Sequence, residues 1–170
     1  RMVLSGDTSA IARPGQFINL RLDGRFLRRP ISVHDAGADF VSILYKVLGR
    51  GTRQMTELSE GTALDVLTEL GNGYGLSKAG EKPLLIGGGV GVPPLYLLAK
   101  KLLEAGRQVC VILGFGSVDE VFYEKEFRAL GCSVTVTTVD GSYGTKGFVT
   151  DAPEILGKDE QTSAPSFFYT

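Results

Sequence analysis

The sequence predicts a β domain followed by an α/β domain, with an antiparallel barrel over residues 1–78 and a helix-flanked parallel sheet over residues 79–170. Three observations predict it. The apolar pattern changes period near residue 80, from short strand-like runs between turn residues to strand–helix–strand. The strands of the second half are apolar throughout rather than alternating, as in a parallel sheet covered on both faces. Glycine supplies 23 of the 170 residues, near twice the ~7% average. It is clustered, which points to backbone approaching a ligand rather than to a flexible linker.

In the first half, Met2-Val3-Leu4 reads as the tail of a strand. Residues 16–22, 40–47 and 63–67 alternate or run apolar and read as strands. A hairpin turn is expected around Asp23-Gly24, and one short helix over 50–57. Many short antiparallel strands imply a barrel or sandwich. The polar run 77–83 separates the two halves. Leu84-Leu85-Ile86 is then a short buried strand. Residues 94–104 place Leu95, Leu98, Leu102 and Leu103 at helical spacing, and Gly106 ends that helix. A second strand is expected over 109–113, and a helix over 119–130 with Val121, Phe122, Phe127 and Leu130 on one face and Gly131 as its stop. A third strand covers 134–139. Phe167-Phe168-Tyr169-Thr170 reads as a last strand with nothing after it. An apolar strand offers neither turn nor cap, so both ends read as truncated.

Composition narrows the function. Charged residues are 22% and hydrophobic residues 43% of the chain, an ordinary globular balance. Eighteen Lys and Arg against 19 Asp and Glu leave a net charge of −1, without the basic excess of a nucleic-acid binder. No apolar run reaches the ~18–20 residues of a bilayer span. Cys110 and Cys132, 22 residues apart, form no CxxC or Cys/His spacing, so the chain offers no zinc or iron–sulfur site. Both read as small buried hydrophobes of a reducing cytoplasm. His34, the single histidine, has no triad-like partner and reads as structural or surface. Without an evident acid, base or nucleophile, the expected chemistry is that of a cofactor.

Five constellations remain. Gly87-Gly88-Gly89-Val90-Gly91 joins a buried strand to a helix opened by Pro93-Pro94. Such a turn lets backbone N–H groups and the positive helix end meet a pyrophosphate, although neither G-x-G-x-x-G nor a Walker lysine is present. Arg28-Arg29-Pro30-Ile31-Ser32 offers an always-charged guanidinium for a phosphate, stiffened by proline; Arg21, Arg25, Arg28 and Arg29 read equally as a solvated hairpin edge. Leu44-Tyr45-Lys46 leads into Gly49-Arg50-Gly51-Thr52, a second phosphate seat or an ordinary turn with Thr52 as N-cap. Gly71-Asn72-Gly73-Tyr74-Gly75 is a turn with left-handed backbone. The polar loop 140–147 follows the third parallel strand, at the end of the sheet where ligands sit in such folds.

In this order, Arg29-Pro30-Ile31-Ser32, Tyr45-Lys46, Gly51-Thr52, Gly71-Asn72-Gly73 and Gly87 to Gly91 resemble the ferredoxin–NADP reductase superfamily, and within it the electron-transfer subunits of type B dihydroorotate dehydrogenases. The resemblance covers nearly the whole chain. It implies that the first domain is an FAD-binding β-barrel. Arg29, Pro30, Ile31 and Ser32 would run along the flavin and its phosphate, and Leu44, Tyr45 and Lys46 would pack on FAD from the neighbouring strand. Gly51 and Thr52 would hold its pyrophosphate, and Gly73 would join the cofactor-binding set. Gly87, Gly88, Gly89, Val90 and Gly91 would take the pyrophosphate of NAD. The implied partner is a separate FMN-containing catalytic subunit, in a cytoplasmic heterotetramer of pyrimidine biosynthesis with no nucleic acid or membrane. Electrons would pass from it through a 2Fe–2S cluster to FAD and then NAD. The cluster is expected only in the full-length chain, because its cysteines would follow Thr170. The alternatives are an NAD(P)H-dependent ferredoxin or flavin reductase with another partner, and a nucleotide-binding module without turnover.

Overall fold

A computed structural model describes residues 1–152 and 168–169. The chain divides into two compact units, Arg1–Tyr74 and Gly75–Thr170.

The first unit is built on five strands, β1 (Met2–Ser5), β2 (Phe17–Leu20), β3 (Arg29–Ala36), β4 (Phe40–Ile43) and β5 (Val66–Leu70), with helix α1 (Arg50–Thr56) between β4 and β5. They pair antiparallel in the order β1-β4-β3-β2-β5. Ile18 and Leu20 of β2, Val33 of β3 and Ile43 of β4 are fully buried, and Met55 of α1 is nearly so. β3 is a strand that hydrophobic periodicity does not show, because it begins Arg-Pro and carries Ser32, His34 and Asp35. Over residues 29–32 only β2 flanks it, and β4 joins from Val33 onward. Pro30 therefore lies where a strand tolerates a missing donor. The expected strand over 40–47 ends at Ile43, and residues 44–48 leave the ladder before α1. The strand expected over 63–67 starts only at Val66, after Asp65, whose carboxylate and carbonyl are both held by Arg28. It then bulges between the pairs Asn19–Leu67 and Phe17–Leu70, with Glu69 at φ 57°.

The second unit is a parallel sheet of β6 (Leu84–Gly88), β7 (Cys110–Phe115), β8 (Ser133–Thr138), β9 (Thr145–Lys146) and β10 (Phe168–Tyr169), in the order β10-β6-β7-β8-β9. Helix α2 (Pro93–Glu104) links β6 to β7, and α3 (Glu124–Leu130) precedes β8. Leu95, Leu98 and Leu102 of α2 and Phe127 of α3 are buried. A separate cluster packs Leu84 and Ile112 against Ala152. At the last strand, β10 pairs with β6; Phe167 and Thr170 lie outside the described residues.

The helix expected over 119–130 is two pieces. A 3-10 turn covers Val118–Glu120, and α3 begins only after Tyr123, which stands at φ 66°. Aromatic packing interrupts it. Phe122 meets Phe115 edge-on at 5.3 Å between ring centres, and Tyr123 meets Tyr96 at 5.5 Å. Those contacts require the chain to turn where periodicity alone continues a helix. The glycine stop holds: Gly131 caps α3 at φ 101°.

Candidate functional site

The two arginines at the start of β3 have different fates. Arg28 grips Asp65 with two parallel bonds, Nη1–Oδ1 3.0 Å and Nη2–Oδ2 2.8 Å, and also donates to the carbonyls of Asn19 and Asp65. The Arg28 hydrogen bond is the main cause holding the Asp65 carboxyl below the usual carboxylate range. Arg29 donates only to the carbonyls of Leu27, at 2.6 Å, and Arg28, at 3.3 Å. It has no carboxylate partner among the described residues, so its charge is available to an anion. Its guanidinium lies over Gly51 of α1. A Cβ added at Gly51 would fall on Arg29 Nε and stand 2.6 Å from Cζ and Nη2. The missing side chain at 51 is what lets the cation and the first turn of α1 share one place.

The remaining expected residues of this unit spread from that point. Pro30 is exposed, while Ile31 and Ser32 are half-buried along β3. The Ser32 hydroxyl makes no hydrogen bond among the described residues, so it has capacity for a ligand. Leu44 and Tyr45 are half-buried beyond the end of β4, Lys46 is exposed, and burial pushes the Tyr45 phenol up. Thr52 is not the N-cap. Gly49 is, and Thr52 lies one turn in, where its Oγ1 accepts from the N–H of Leu48 at 3.0 Å and of Gly49 at 3.2 Å. That pulls the 48–52 turn tight and sets Gly51 against Arg29. Gly73, at φ 67°, is explained by its own surroundings. A Cβ there would meet Arg13 Cβ at 2.6 Å and Pro14 O at 3.0 Å. His34 is 2% exposed, with Nδ1 3.3 Å from Ser42 Oγ, which is the structural role.

In the second unit, Gly87 and Gly88 end β6, and Gly89, Val90 and Gly91 form a 3-10 turn before α2. The glycines answer different demands. A Cβ on Gly87 would meet Leu95 Cδ1 at 2.7 Å, Gly91 O at 3.1 Å and Val92 Cα at 3.2 Å, so Gly87 serves strand–helix packing. Gly88 would meet Gly114 O at an ordinary 3.5 Å. Gly89 is held at φ 49°, which favours glycine. Gly91 has no positive φ, and nothing lies within 4 Å of its added Cβ. Among the described residues nothing demands a glycine at 91; a ligand pressed against the backbone would. Helix α2 opens on Pro93 and Pro94, which removes two amide donors from its first turn. Donors for an anion therefore fall to the 3-10 turn rather than to the helix end that the sequence suggests.

The ends of β7 and β8 are firmly tied. Glu120 accepts the N–H of Gly116 at 2.9 Å, and Ser142 accepts that of Val118 at 2.8 Å while donating to Asp140 at 2.6 Å. That Ser142 hydroxyl bond chiefly holds the Asp140 carboxyl low. Tyr143 donates to Glu124 at 2.9 Å, so the loop after β8 is fixed to α3. Among the described residues no group of His, Cys, Asp and Glu is placed to hold a metal ion. The free thiol of Cys132 is buried and pushed up to about 11, first by burial and then by Cys110. Among the described residues no helix is long and apolar enough to cross a membrane.

An antiparallel sheet unit carrying an unpaired arginine on its Arg-Pro-Ile-Ser strand, followed by a parallel sheet unit with a glycine-rich turn, is a ferredoxin reductase-like fold, and the chain is similar to proteins of that class. No family model matches the chain. A solved NADH-dependent reduced ferredoxin–NADP oxidoreductase superposes with a TM-score of 0.76 at 37% identity, covering 88% of this chain and 54% of that one. Within the class, the sequence is similar to the electron-transfer subunits of dihydroorotate dehydrogenase B (NAD(+)). It is 52% identical to that of Fusobacterium nucleatum over 145 residues and 46% identical to that of Shouchella clausii over 158 residues. These matches take in 81% and 88% of this chain, and the chain spans only 56% and 61% of the length of those two relatives.

Proposed function

We propose that the chain is the FAD- and NAD-binding part of the electron-transfer subunit of an NAD-dependent dihydroorotate dehydrogenase. Residues 1–78 would form the FAD domain and residues 79–170 the NAD domain. Similarity to relatives of that name, at 46–52% identity, supports the reading. The observation that carries the cofactor assignment is Arg29, a cation without a carboxylate partner that lies over the missing side chain of Gly51.

The residues fit the cofactors by shape and donor set. Arg29 would neutralise the FAD pyrophosphate beside Gly51 and the tight Thr52 turn. Pro30, Ile31 and Ser32 would run along the flavin, with Leu44, Tyr45 and Lys46 on the adjoining strand end and Gly73 in the following turn. Gly91 leaves backbone open for the NAD pyrophosphate, with Gly87, Gly88, Gly89 and Val90 shaping the turn around it. When bound, the two cofactors supply hydride exchange. The chain's part is to bind and orient them, since proximity and alignment are what such an exchange asks of a protein.

The parent protein would be cytoplasmic and would pair with an FMN-containing catalytic subunit that oxidises dihydroorotate. A 2Fe–2S cluster would need four ligands, normally thiolates, and the two cysteines here cannot supply them. The second reading is a ferredoxin or flavin reductase with a different partner, favoured by the 37% identity to the ferredoxin–NADP oxidoreductase. The visible spectrum of the purified protein tests the shared core. A yellow protein bleached by NADH is expected, and a colourless one that takes up no FAD overturns it. Reduction of NAD by dihydroorotate, on adding the FMN subunit to the full-length protein, separates the first reading from the second.

A further inference from the structure

Past their carboxyl ends, β7 and β8 stay joined for two more residues. The Val139 N–H donates to the Phe115 carbonyl at 3.1 Å, and the Asp140 N–H donates to the Gly116 carbonyl at 3.2 Å. The two segments then turn apart. One becomes the 3-10 turn Val118–Glu120 and the other the loop 140–147. Ser142 rejoins them.

Its hydroxyl works in both senses. Oγ accepts the Val118 N–H at 2.8 Å and donates to Asp140 Oδ1 at 2.6 Å. The Ser142 N–H donates to the same carboxylate oxygen at 2.9 Å. A hydroxyl has one proton to give, so donation to Asp140 turns its lone pairs toward Val118. The carboxylate polarises the hydroxyl and makes it a better acceptor. The loop that carries Ser142 is held from behind. Thr138 Oγ1 donates to the Tyr143 carbonyl at 2.6 Å and accepts the Tyr143 N–H at 3.0 Å. Gly144 lies against the Val136 carbonyl, where a Cβ would have no room. The loop is thus a fixed support, and the 118–120 turn is the part it holds.

That turn carries two carboxylates. Glu120 accepts the Gly116 N–H, while the Asp119 side chain makes no hydrogen bond among the described residues. An exposed serine in a loop usually caps only its own turn. Ser142 instead bridges segments 24 residues apart, at the end of the sheet where ligands rest in such folds. We propose that Ser142 is a positioning residue of the NAD site. It locks the 118–120 turn to the loop after β8 and so holds the Asp119 carboxylate in one place for a ribose hydroxyl. The role rests on the NAD reading of the second unit, and Ser142 acts through the turn rather than on the cofactor. Without the clamp the turn must be ordered on binding, which costs affinity. A carboxylate free to swing away also repels a ribose phosphate less.

The test uses the natural full-length protein loaded with FAD, titrated by calorimetry with oxidised NAD and oxidised NADP. The proteins are the wild type, Ser142→Ala, Ser142→Thr and Ser142→Val; the last two share a shape and differ in the hydroxyl. Ser142→Ala and Ser142→Val are expected to bind NAD about five- to tenfold more weakly, the loss of roughly one hydrogen bond. Their preference for NAD over NADP is expected to narrow by about threefold, with flavin content unchanged. Ser142→Thr should keep the wild-type values. Hydrogen exchange at the Val118 N–H should quicken in the two variants without a hydroxyl and not in Ser142→Thr. A hydroxyl that serves only the fold would lower Tm and leave the NAD to NADP preference where it was, and that result overturns the proposal. Equal NAD affinity in the Thr and Val proteins also overturns it, even if Ser142→Ala fails to fold. A wild type that binds NAD while no variant changes its preference overturns the role of Ser142 alone. A wild type that binds neither dinucleotide brings down the proposed function, and this role with it.

Discussion

The Arg29 guanidinium occupies the space that a side chain at Gly51 would need, with Cζ and Nη2 2.6 Å from the position of an added Cβ. The two residues are 22 apart in sequence and meet because the start of β3 runs beside the first turn of α1. A methyl group at 51 would not wreck the fold, since the atoms it meets end a flexible side chain. It would move the charge. Gly51→Ala is therefore expected to keep thermal stability near the wild type while weakening FAD. Arg29→Ala removes a charge-assisted contact of about 1.5–3 kcal/mol and should weaken FAD by about ten- to a hundredfold. Equilibrium dialysis with flavin fluorescence reads both. Full flavin occupancy in Arg29→Ala would show that the phosphate lies elsewhere.

The neighbouring arginine makes a contrasting prediction about acid. The hydrogen bond from Arg28, the largest cause, holds the Asp65 carboxyl below its ordinary range in the folded state. A depressed folded pKa contributes stability above the unfolded value, and that stability is lost as pH falls through the folded value. The pair is exposed, so the contribution is small. Asp65→Asn is expected to show a shallower fall of Tm between neutral pH and about pH 3 than the wild type. Differential scanning calorimetry across that range checks it; parallel curves would mean that Arg28 and Asp65 do not pair in solution.

How far the sequence speaks for the fold differs between the two halves. The change of period near residue 80 is readable, because parallel strands are continuously apolar and α2 is amphipathic. Leu84 and the prolines mark the starts of β6 and α2, whereas β7 runs from Cys110 to Phe115 and β6 to Gly88, each two residues past the end expected from the apolar run. β3 is not readable as a strand, because its start pairs with one neighbour only and so accepts Pro30 and charged residues. The break at Tyr123 is hidden for another reason: it is set by rings from Tyr96 and Phe115, which are distant in sequence. At the candidate site, the residue types are legible and their fates are not. Nothing in Arg28-Arg29 says which one Asp65 takes, and the run of glycines does not say which of them the protein itself requires.

The nicotinamide cofactor is expected to be NAD rather than NADP. In doubly wound sheets the ribose that distinguishes them lies beyond the second strand, which is here the segment 116–120 after β7. It holds Asp119 and Glu120 and no Lys or Arg. Glu120 is committed to the Gly116 N–H, which leaves the Asp119 carboxylate to accept from a ribose hydroxyl or repel a phosphate. The ratio of kcat/KM for NADPH to that for NADH should lie well below one. Asp119→Lys should raise it by at least roughly fivefold, the value of about 1 kcal/mol at an exposed charge pair. A wild type that prefers NADPH would contradict the assignment.

Gly87 and Gly91 separate what the fold requires from what a ligand requires. At Gly87 a methyl group meets Leu95 Cδ1 at 2.7 Å and backbone atoms at 3.1 and 3.2 Å. The side chain can yield, but the backbone of the Gly91–Val92 turn cannot yield cheaply. Gly87→Ala should cost about 1–3 kcal/mol, the usual range for overpacking a dense contact. At Gly91 the same methyl meets nothing within 4 Å, and φ is not positive. There the substitution reduces the freedom of the unfolded chain without strain and should stabilise by about 0.4–1 kcal/mol. If the open backbone at 91 is where a pyrophosphate rests, the added methyl must hold it away from the N–H groups of the turn. Gly91→Ala is then expected to melt at or above the wild-type temperature and yet bind NADH about tenfold more weakly, a loss of roughly one hydrogen bond to a charged group. Denaturant unfolding and NADH titration of the same two samples decide it. A Gly91→Ala protein with unchanged NADH affinity would place the pyrophosphate away from this turn.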